Sequence, residues 1–572
     1  MSLSYHSGFL RERGIAGPAS FLSMRLLTAV ALVLAVCACA DRGAKGEAET
    51  GGTLVIATTA DPATLFPPLI LTAQAKQISE QIYDYLADVG PDLDIRDEKK
   101  FRPGLADRWT WMNDSLILSF HINPAAKWHD GRDVTARDVA FTFALNKNPA
   151  MASRIESDIA NIDSVTVTDS LTAVFWFHQR SPTQFLDAAA QMLILPAHQL
   201  ENLRLRVLRE TPPPPIGTGR FRLRKWNKGS SVELVADSAN FRGRAKLDRV
   251  IWSVAPELQT AVARLLGGEA DLFDALRPEN LAPVKRQQNL RVIVQPGMDY
   301  AFLRFNLRDP KLPARLHPLF GDRELRRAVA MSLNRAAMVR NVFDTFALVP
   351  AGPTVRAFAS TDPSLRQVPF DTSAAARVLD SLGWTRSTPD GIRARAGQEL
   401  SFTLLVPTIS LARMRMAPLI QAQLRRMGIR VEIAAMESST ELDRESRGLF
   451  DAALGAWVMP SSTDAIRAAW TTAGIGRSGT NFGSYSNPQF DALLDSAFWA
   501  PPGSERSAFS RAFRVINDDV PAIWLYEPRK IIGIHRRVRT AVMRPDAWWF
   551  DLADWYIPRG ERISRDRVPL GR

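Results

Sequence analysis

Residues 401–433, SFTLLVPTISLARMRMAPLIQAQLRRMGIRVEI, hold the pattern that decides the fold. Residues 401–406 read as a strand, 411–427 carry the apolar spacing of a helix, Gly428 is its C-terminal stop, and 429–433 read as the next strand. Strand, helix and strand in that order make a βαβ unit. A crossover helix joins parallel strands, so this half of the chain is expected to form an α/β lobe on a largely parallel or mixed sheet. Upstream, Leu325, Val329, Leu333, Ala336, Val339 and Phe343 recur every three or four residues as one apolar helical face. Downstream, Asn487 reads as a helix cap with Pro488 in the first turn, and the helix buries Phe490, Leu493, Leu494 and Ala497.

Toward the N-terminus the rhythm differs. Thr53-Leu54-Val55-Ile56-Ala57-Thr58 is a β-branched run, Asp61-Pro62 is a turn, and a helical pattern follows with Ile78, Ile82, Tyr83 and Leu86 on one side. Residues 116–122, 164–167 and 173–177 read as strands, with Asp169 and Ser170 as turn residues between the last two. The region 97–202 is therefore mainly β with inserted helices, and Thr211-Pro212-Pro213-Pro214-Pro215 is the stiff connector that ends it.

The first residues say where the rest resides. Behind Arg25, residues 26–38 form an apolar run too short for a stable membrane span and right for the core of a secretory signal peptide. It ends in Cys37 and Cys39, the only two cysteines of 572 residues. The segment resembles the bacterial lipobox, which favours Cys39, preceded by the small Ala38, as the acylated new N-terminus. Residues 40–50 then read as a flexible leash. A body without cysteine has no disulfide, no thiolate zinc site and no cysteine nucleophile. The formal charge of the chain is +12; loss of residues 1–38 removes three arginines and one glutamate and leaves +10. Because the arginines are scattered among acidic residues in an exported chain, no nucleic acid is expected as partner. The histidines show no paired ligand spacing and no set of residues forms a catalytic constellation, so neither a metal, a cofactor nor an enzymatic activity is expected.

Eight segments in register resemble the extracellular solute-binding proteins of family 5, the peptide- and nickel-binding receptors of ABC importers. They are Gly52-Thr53-Leu54-Val55-Ile56 with Asp61-Pro62; Arg102-Pro103-Gly104-Leu105-Ala106-Asp107-Arg108-Trp109; Lys127-Trp128-His129-Asp130-Gly131-Arg132-Asp133-Val134-Thr135-Ala136-Arg137-Asp138-Val139; Gly217-Thr218-Gly219-Arg220-Phe221; Gly268-Glu269-Ala270-Asp271; Phe305-Asn306; Arg326-Arg327-Ala328-Val329-Ala330 with Asn334-Arg335; and Tyr485-Ser486-Asn487-Pro488 with Asp491. Trp128-His129-Asp130-Gly131 also reads as a scaffold turn in its own right, Gly131 taking a positive φ and Thr135 with Asp138 starting a helix. The resemblance implies a two-lobed periplasmic-binding-protein-like α/β fold (type II, cluster C) with mixed sheets and an extra N-terminal β-rich subdomain. It implies residues 51–96, 203–293 and 518–572 as the first lobe, 97–202 inserted in it, and 294–517 as the second lobe. The hinge candidates are 294–297 and 519–521.

It implies, further, a lipid-anchored receptor in the periplasm or cell envelope, a monomer, that captures a peptide or small-molecule ligand and delivers it to an ABC permease and ATPase complex. The alternative from another class is an envelope sensor or docking lipoprotein of the same fold without cargo. In peptide-binding members a tryptophan-containing loop carries the acid that pairs with the peptide's amino terminus. Here that loop is Gly455-Ala456-Trp457-Val458-Met459-Pro460, followed by Asp464, and the aligned position of the acid is Pro460. Trp457, Val458, Met459, Asp464, Asp61 and Arg413 are the expected ligand-binding residues, with Arg413 as a displaced carboxylate receptor. Trp457 and Met459 would offer an apolar, polarizable wall suited to a modified or hydrophobic peptide.

Overall fold

The computed structural model describes residues 50–112, 115–386, 389–459, 465–476 and 479–568. The signal segment, Cys39 and the leash up to residue 49 lie outside them, as do Pro460 and Asp464.

Two large mixed sheets organise the body. The first has seven strands in the order Leu290–Gln295, Lys530–His535, Leu272–Phe273, Thr53–Thr58, Arg249–Val254, Ser231–Ala236 and Phe221–Asn227. Thr53–Thr58 is buried along its whole length because it runs parallel between two neighbours at the sheet's centre, which is why it reads as a continuous apolar run. The second has six strands in the order Ala347–Leu348, Ala522–Pro528, Asp299–Phe305, Ala452–Val458, Ser401–Pro407 and Arg430–Met436. Its outer end is the expected βαβ unit, with Ser401–Pro407 parallel to Arg430–Met436 and helix Leu411–Arg426 between them. The single apolar face of 325–343 is carried by two helices, Arg323–Met331 and Arg335–Phe343. They separate because the Ser332 hydroxyl donates to the Ala328 carbonyl (2.7 Å) and the Asn334 side chain restarts the helix by accepting from the Ala337 amide (3.0 Å).

An antiparallel four-stranded sheet, Ala106–Met112, Ile117–Ile122, Thr172–Phe177 and Ile162–Asp169, stands against the first lobe. Helix Ala136–Lys147 begins beside it as the sequence suggested: one Asp138 oxygen accepts the Thr135 amide (2.8 Å) and the other the Ala197 amide (2.8 Å). Gly131 has φ +88°. His129, next to it, accepts the Gly217 amide at Nδ1 (3.2 Å) and donates from Nε2 to the Gly219 carbonyl (2.9 Å), so two of the recurrent motifs are bonded to each other and the imidazole is held as the neutral Nε2–H form. Burial lowers its pKa accordingly.

The chain passes between the sheets twice. Leu290–Gln295 continues through Pro296-Gly297-Met298 into Asp299–Phe305, and Ala522–Pro528 continues through Arg529 into Lys530–His535. The passages touch: a Cβ on Gly297 would stand 1.9 Å from the Pro528 carbonyl oxygen, so only glycine allows this approach. The first passage falls at the end of the expected hinge 294–297. The second comes one strand later than 519–521, and residues 522–528, placed in the first lobe from the sequence, pair within the second sheet. Val520 and Pro521 resemble a hinge because they end helix Glu505–Asp519, where Val520 turns to φ +49° and its amide closes on Ile516.

The last segment of the chain returns to the first lobe and is fixed there by charge. Arg537 donates to Asp271 (2.8 and 3.0 Å) and to Asp566 (2.5 Å), while Asp271 accepts the Val55 amide (2.9 Å) and Asp566 the Thr53 amide (2.7 Å). Both carboxylates have fully buried side chains. Arg537→Met is expected to lower the unfolding free energy by about 3–5 kcal/mol, because the buried Asp566 loses its guanidinium partner and Asp271 keeps one of its two, Arg565. Urea denaturation checks this, and a loss below about 1 kcal/mol would show that the segment is held by other contacts.

Candidate functional site

Between the lobes, beside the two passages, lies a cavity of about 430 Å³. Ile70, Leu186 and Leu193 supply apolar wall from the first lobe; Val458 and Met459, with Met298 of the first passage, close it from the other side. A second chamber of about 220 Å³ continues from it into the first lobe and shares Glu80, Tyr85, Asp88 and Arg544 with it.

Helix Ala73–Ile82 builds the common wall. Its Thr72 cap accepts the Ala75 amide (3.2 Å), Ile78 and Ile82 turn into the core, and Glu80 turns toward the cavity. The helix end is pinned by Gly217-Thr218-Gly219. A Cβ on Gly217 or Gly219 would meet the Ile82 or Gln81 carbonyl oxygen at 1.8 or 2.2 Å, and between them the Thr218 hydroxyl donates to Asp84 (2.8 Å). Glu80 is engaged at both oxygens, by Tyr85 Oη (2.8 Å) and Trp549 Nε1 (2.6 Å).

Charges on the two cavities pair almost completely. Arg242 binds Asp84, Arg544 binds Asp546 (2.7 Å), Arg102 binds Asp551 (3.0 Å), Arg220 binds Asp554 (3.0 Å), and Lys76 reaches Glu80 (3.7 Å). Seven acidic and five basic side chains line the walls, so two carboxylates remain: Asp88, half-buried at the junction of the chambers, and Asp158, exposed at the rim. Neither makes a side-chain hydrogen bond or ion pair among the described residues. Burial pushes the Asp88 carboxyl up to about 7, against the pull of Arg242 and Arg544 and with repulsion from Asp84 and Glu80.

The second lobe contributes differently. Trp457 is the penultimate residue of strand Ala452–Val458, with its ring turned inward, 6.3 Å from Phe302 and 6.4 Å from Phe482, and these three rings surround the Arg304 guanidinium at 5.0–5.7 Å. Arg304 in turn makes a buried ion pair with Glu445. Arg413 donates to the Leu454 carbonyl (3.1 Å), with Asp299, Tyr526 and Glu441 near enough to feel its charge. Burial raises Asp299 to about 6 and Glu441 to about 7, with Arg413 opposing both. Among the described residues, Arg413 Nε, Glu441 Oε1 and Trp457 Nε1 are buried without a hydrogen-bond partner.

The sequence model described as "Bacterial extracellular solute-binding proteins, family 5 Middle" matches residues 100–477. The chain belongs to this family. The oligopeptide-binding protein AppA of Bacillus subtilis is 24 % identical over 560 residues, covering 93 % of this chain and 98 % of that protein. Heme-binding protein A of Haemophilus influenzae is 23 % identical over 557 residues, covering 91 % and 96 %. The structure of Bacillus subtilis AppA in complex with a nonapeptide superimposes with a TM-score of 0.69 at 22 % identity, covering 89 % of this chain and 99 % of that one, and shows the shared two-lobed fold.

Of the six residues expected at the site of this family 5 protein, Val458 and Met459 line the cavity. Val458 is 74 % exposed; Met459 is buried, and its amide donates to the Met298 carbonyl (2.6 Å). Trp457 and Arg413 stand behind that wall rather than on it. Asp61, in the loop after strand Thr53–Thr58, braces the hairpin of Phe221–Asn227 and Ser231–Ala236, accepting from the Gly229 amide (2.8 Å) and Trp226 Nε1 (3.2 Å). Asp464 lies outside the described residues. Glu80, Asp88, Met298 and Arg544 carried no sequence signal, since the cavity joins stretches hundreds of residues apart. Among the described residues no group of three or more histidine, cysteine or acidic side chains could hold a metal, and no helix is long and apolar enough to cross a membrane. Asp61→Ala is expected to lower the unfolding free energy by about 1–3 kcal/mol and to leave ligand affinity unchanged. Calorimetric titration alongside denaturation tests this; a loss of affinity at unchanged stability would move Asp61 into the site.

Proposed function

We propose that this protein is the extracytoplasmic solute-binding component of an ABC importer, which takes a peptide or related solute between its lobes and delivers it to the permease and ATPase complex. The observation that carries the reading is the partly apolar cavity walled by both lobes, between which the chain passes at Pro296-Gly297-Met298 and at Arg529. A ligand there touches both bodies, and contacts made across the gap are the differential free energy that favours the closed arrangement. Family membership and the ligands for which the relatives are named, an oligopeptide and heme, support capture of sizeable solutes. No chemical step is part of this reading. Acylation of Cys39, with cleavage before it and residues 40–50 as leash, tethers the receptor to the membrane as a monomer in the periplasm or cell envelope.

Native mass spectrometry of the full chain, extracted gently in detergent, is expected to show one small solute per protein, released on denaturation. In Val458→Arg, where an exposed residue of the cavity wall becomes a long cation, occupancy is expected to fall at least about tenfold with an unchanged unfolding midpoint. An empty wild-type protein that also shows no thermal shift across a panel of peptides and metal ions would overturn the reading.

A further inference from the structure

The cavity is acidic in a basic protein. The chain carries +12, yet the walls of the two joined chambers hold seven acidic against five basic side chains, and the five ion pairs leave Asp88 and Asp158 over. Asp158 sits in solvent, where its field is screened. Asp88 is the side chain that matters. It follows Ala87 in a two-residue strand paired with Arg102–Pro103, which points it to the junction of the polar chamber and the apolar cavity. Every basic neighbour is already committed: Arg242 to Asp84, Arg544 to Asp546 and Arg102 to Asp551. A carboxylate kept at a cavity wall without a partner is costly unless something brings the missing charge.

We propose that the ligand carries a positively charged group, an amine or guanidinium, which seats against Asp88, while an apolar body lies along Ile70, Leu186, Val458 and Met459. This rests on the cavity being the ligand site. A cation on Asp88 with its body against Val458 and Met459 spans both lobes, so the charge contact and the closing contact are made by one molecule.

Binding is then sensitive to pH. Asp88 faces Asp84 and Glu80 from the helix side, Arg242 from the loop after strand Ser231–Ala236, Arg544 from the C-terminal segment and Arg102 on the adjoining strand. Its carboxyl, pushed up to about 7, must be ionised to hold a cation, so affinity for a cationic ligand rises as pH increases through 7 and falls below it.

The test uses the full chain and three hexapeptides of alanine and leucine: one blocked at both ends and carrying a single arginine, whose guanidinium stays charged at every pH used, one blocked at both ends without it, and one acetylated with a free carboxylate. The cationic peptide is expected to bind at least about tenfold tighter than the neutral one, with the anionic one weakest. Asp88→Asn is expected to erase that order and its pH dependence, and Asp88→Glu to keep both. In the wild type alone, the cationic peptide is expected to lose affinity between pH 8 and pH 6, each pH chosen around the value of about 7 for Asp88, while the neutral one holds. Equal affinities for the three peptides, or an order unchanged in Asp88→Asn, overturn this proposal and leave the receptor reading standing. Binding of none of them, joined to an empty native mass spectrum, overturns both.

Discussion

Arg537 is enclosed by Asp271 and Asp566, and the cleft depends on that contact. Arg565 adds a second bond to Asp271 (2.6 Å), so two buried carboxylates meet two guanidinium groups and the cluster is neutral. Its backbone contacts, from Thr53 and Val55, reach the first strand of the body. Residues 537–566 are thereby bound to strand Thr53–Thr58. A lobe assembled from both termini obliges the chain to leave for the other lobe and come back, and the two passages that result lie side by side at Gly297 and Pro528. The segment behind Arg537 also brings Arg544, Asp546 and Trp549 to the cavity wall, so the same contact sets both the passages and the floor between them.

The periodic stretches were legible. Residues 401–433 form the βαβ unit because their spacing has no competing reading, and Asn487-Pro488 caps the helix it announces. Hairpins and caps carried by one or two side chains, such as Thr135 with Asp138, were legible for the same local reason. The break at Ser332-Leu333 was not, since the apolar period runs straight through it and only two side-chain hydrogen bonds divide the helix. Nor was the second passage: a left-handed residue before a proline marks a turn without saying which sheet the next strand joins.

The site was legible in part. Val458 and Met459 reach the cavity because they stand at the end of strand Ala452–Val458, beside the first passage, Val458 opposite Asp299 and Met459 bonded to Met298. Trp457 does not, because the strand's alternation turns its ring to the inner face, where a buried arginine draws three aromatic rings around itself. Asp61 was chosen for its motif, and its carboxylate serves the Gly229 turn. The acidic balance of the cavity was invisible, because it emerges only when five ion pairs have been formed, three of them between residues more than a hundred positions apart.

The central claim is that the lobes close on a ligand about the passages at 296–298 and 529. The body has no cysteine, so in a Cys37→Ser, Cys39→Ser background spin labels go to Leu71, 69 % exposed beside the cavity-lining Ile70, and to Ile409, 81 % exposed beyond strand Ser401–Pro407. Pulsed electron resonance then reads the distance between the lobes in protein stripped of solute and in protein to which the solute has been returned. The account predicts a broad distribution without ligand and a shorter, narrower one with it; identical distributions at saturating ligand would contradict it.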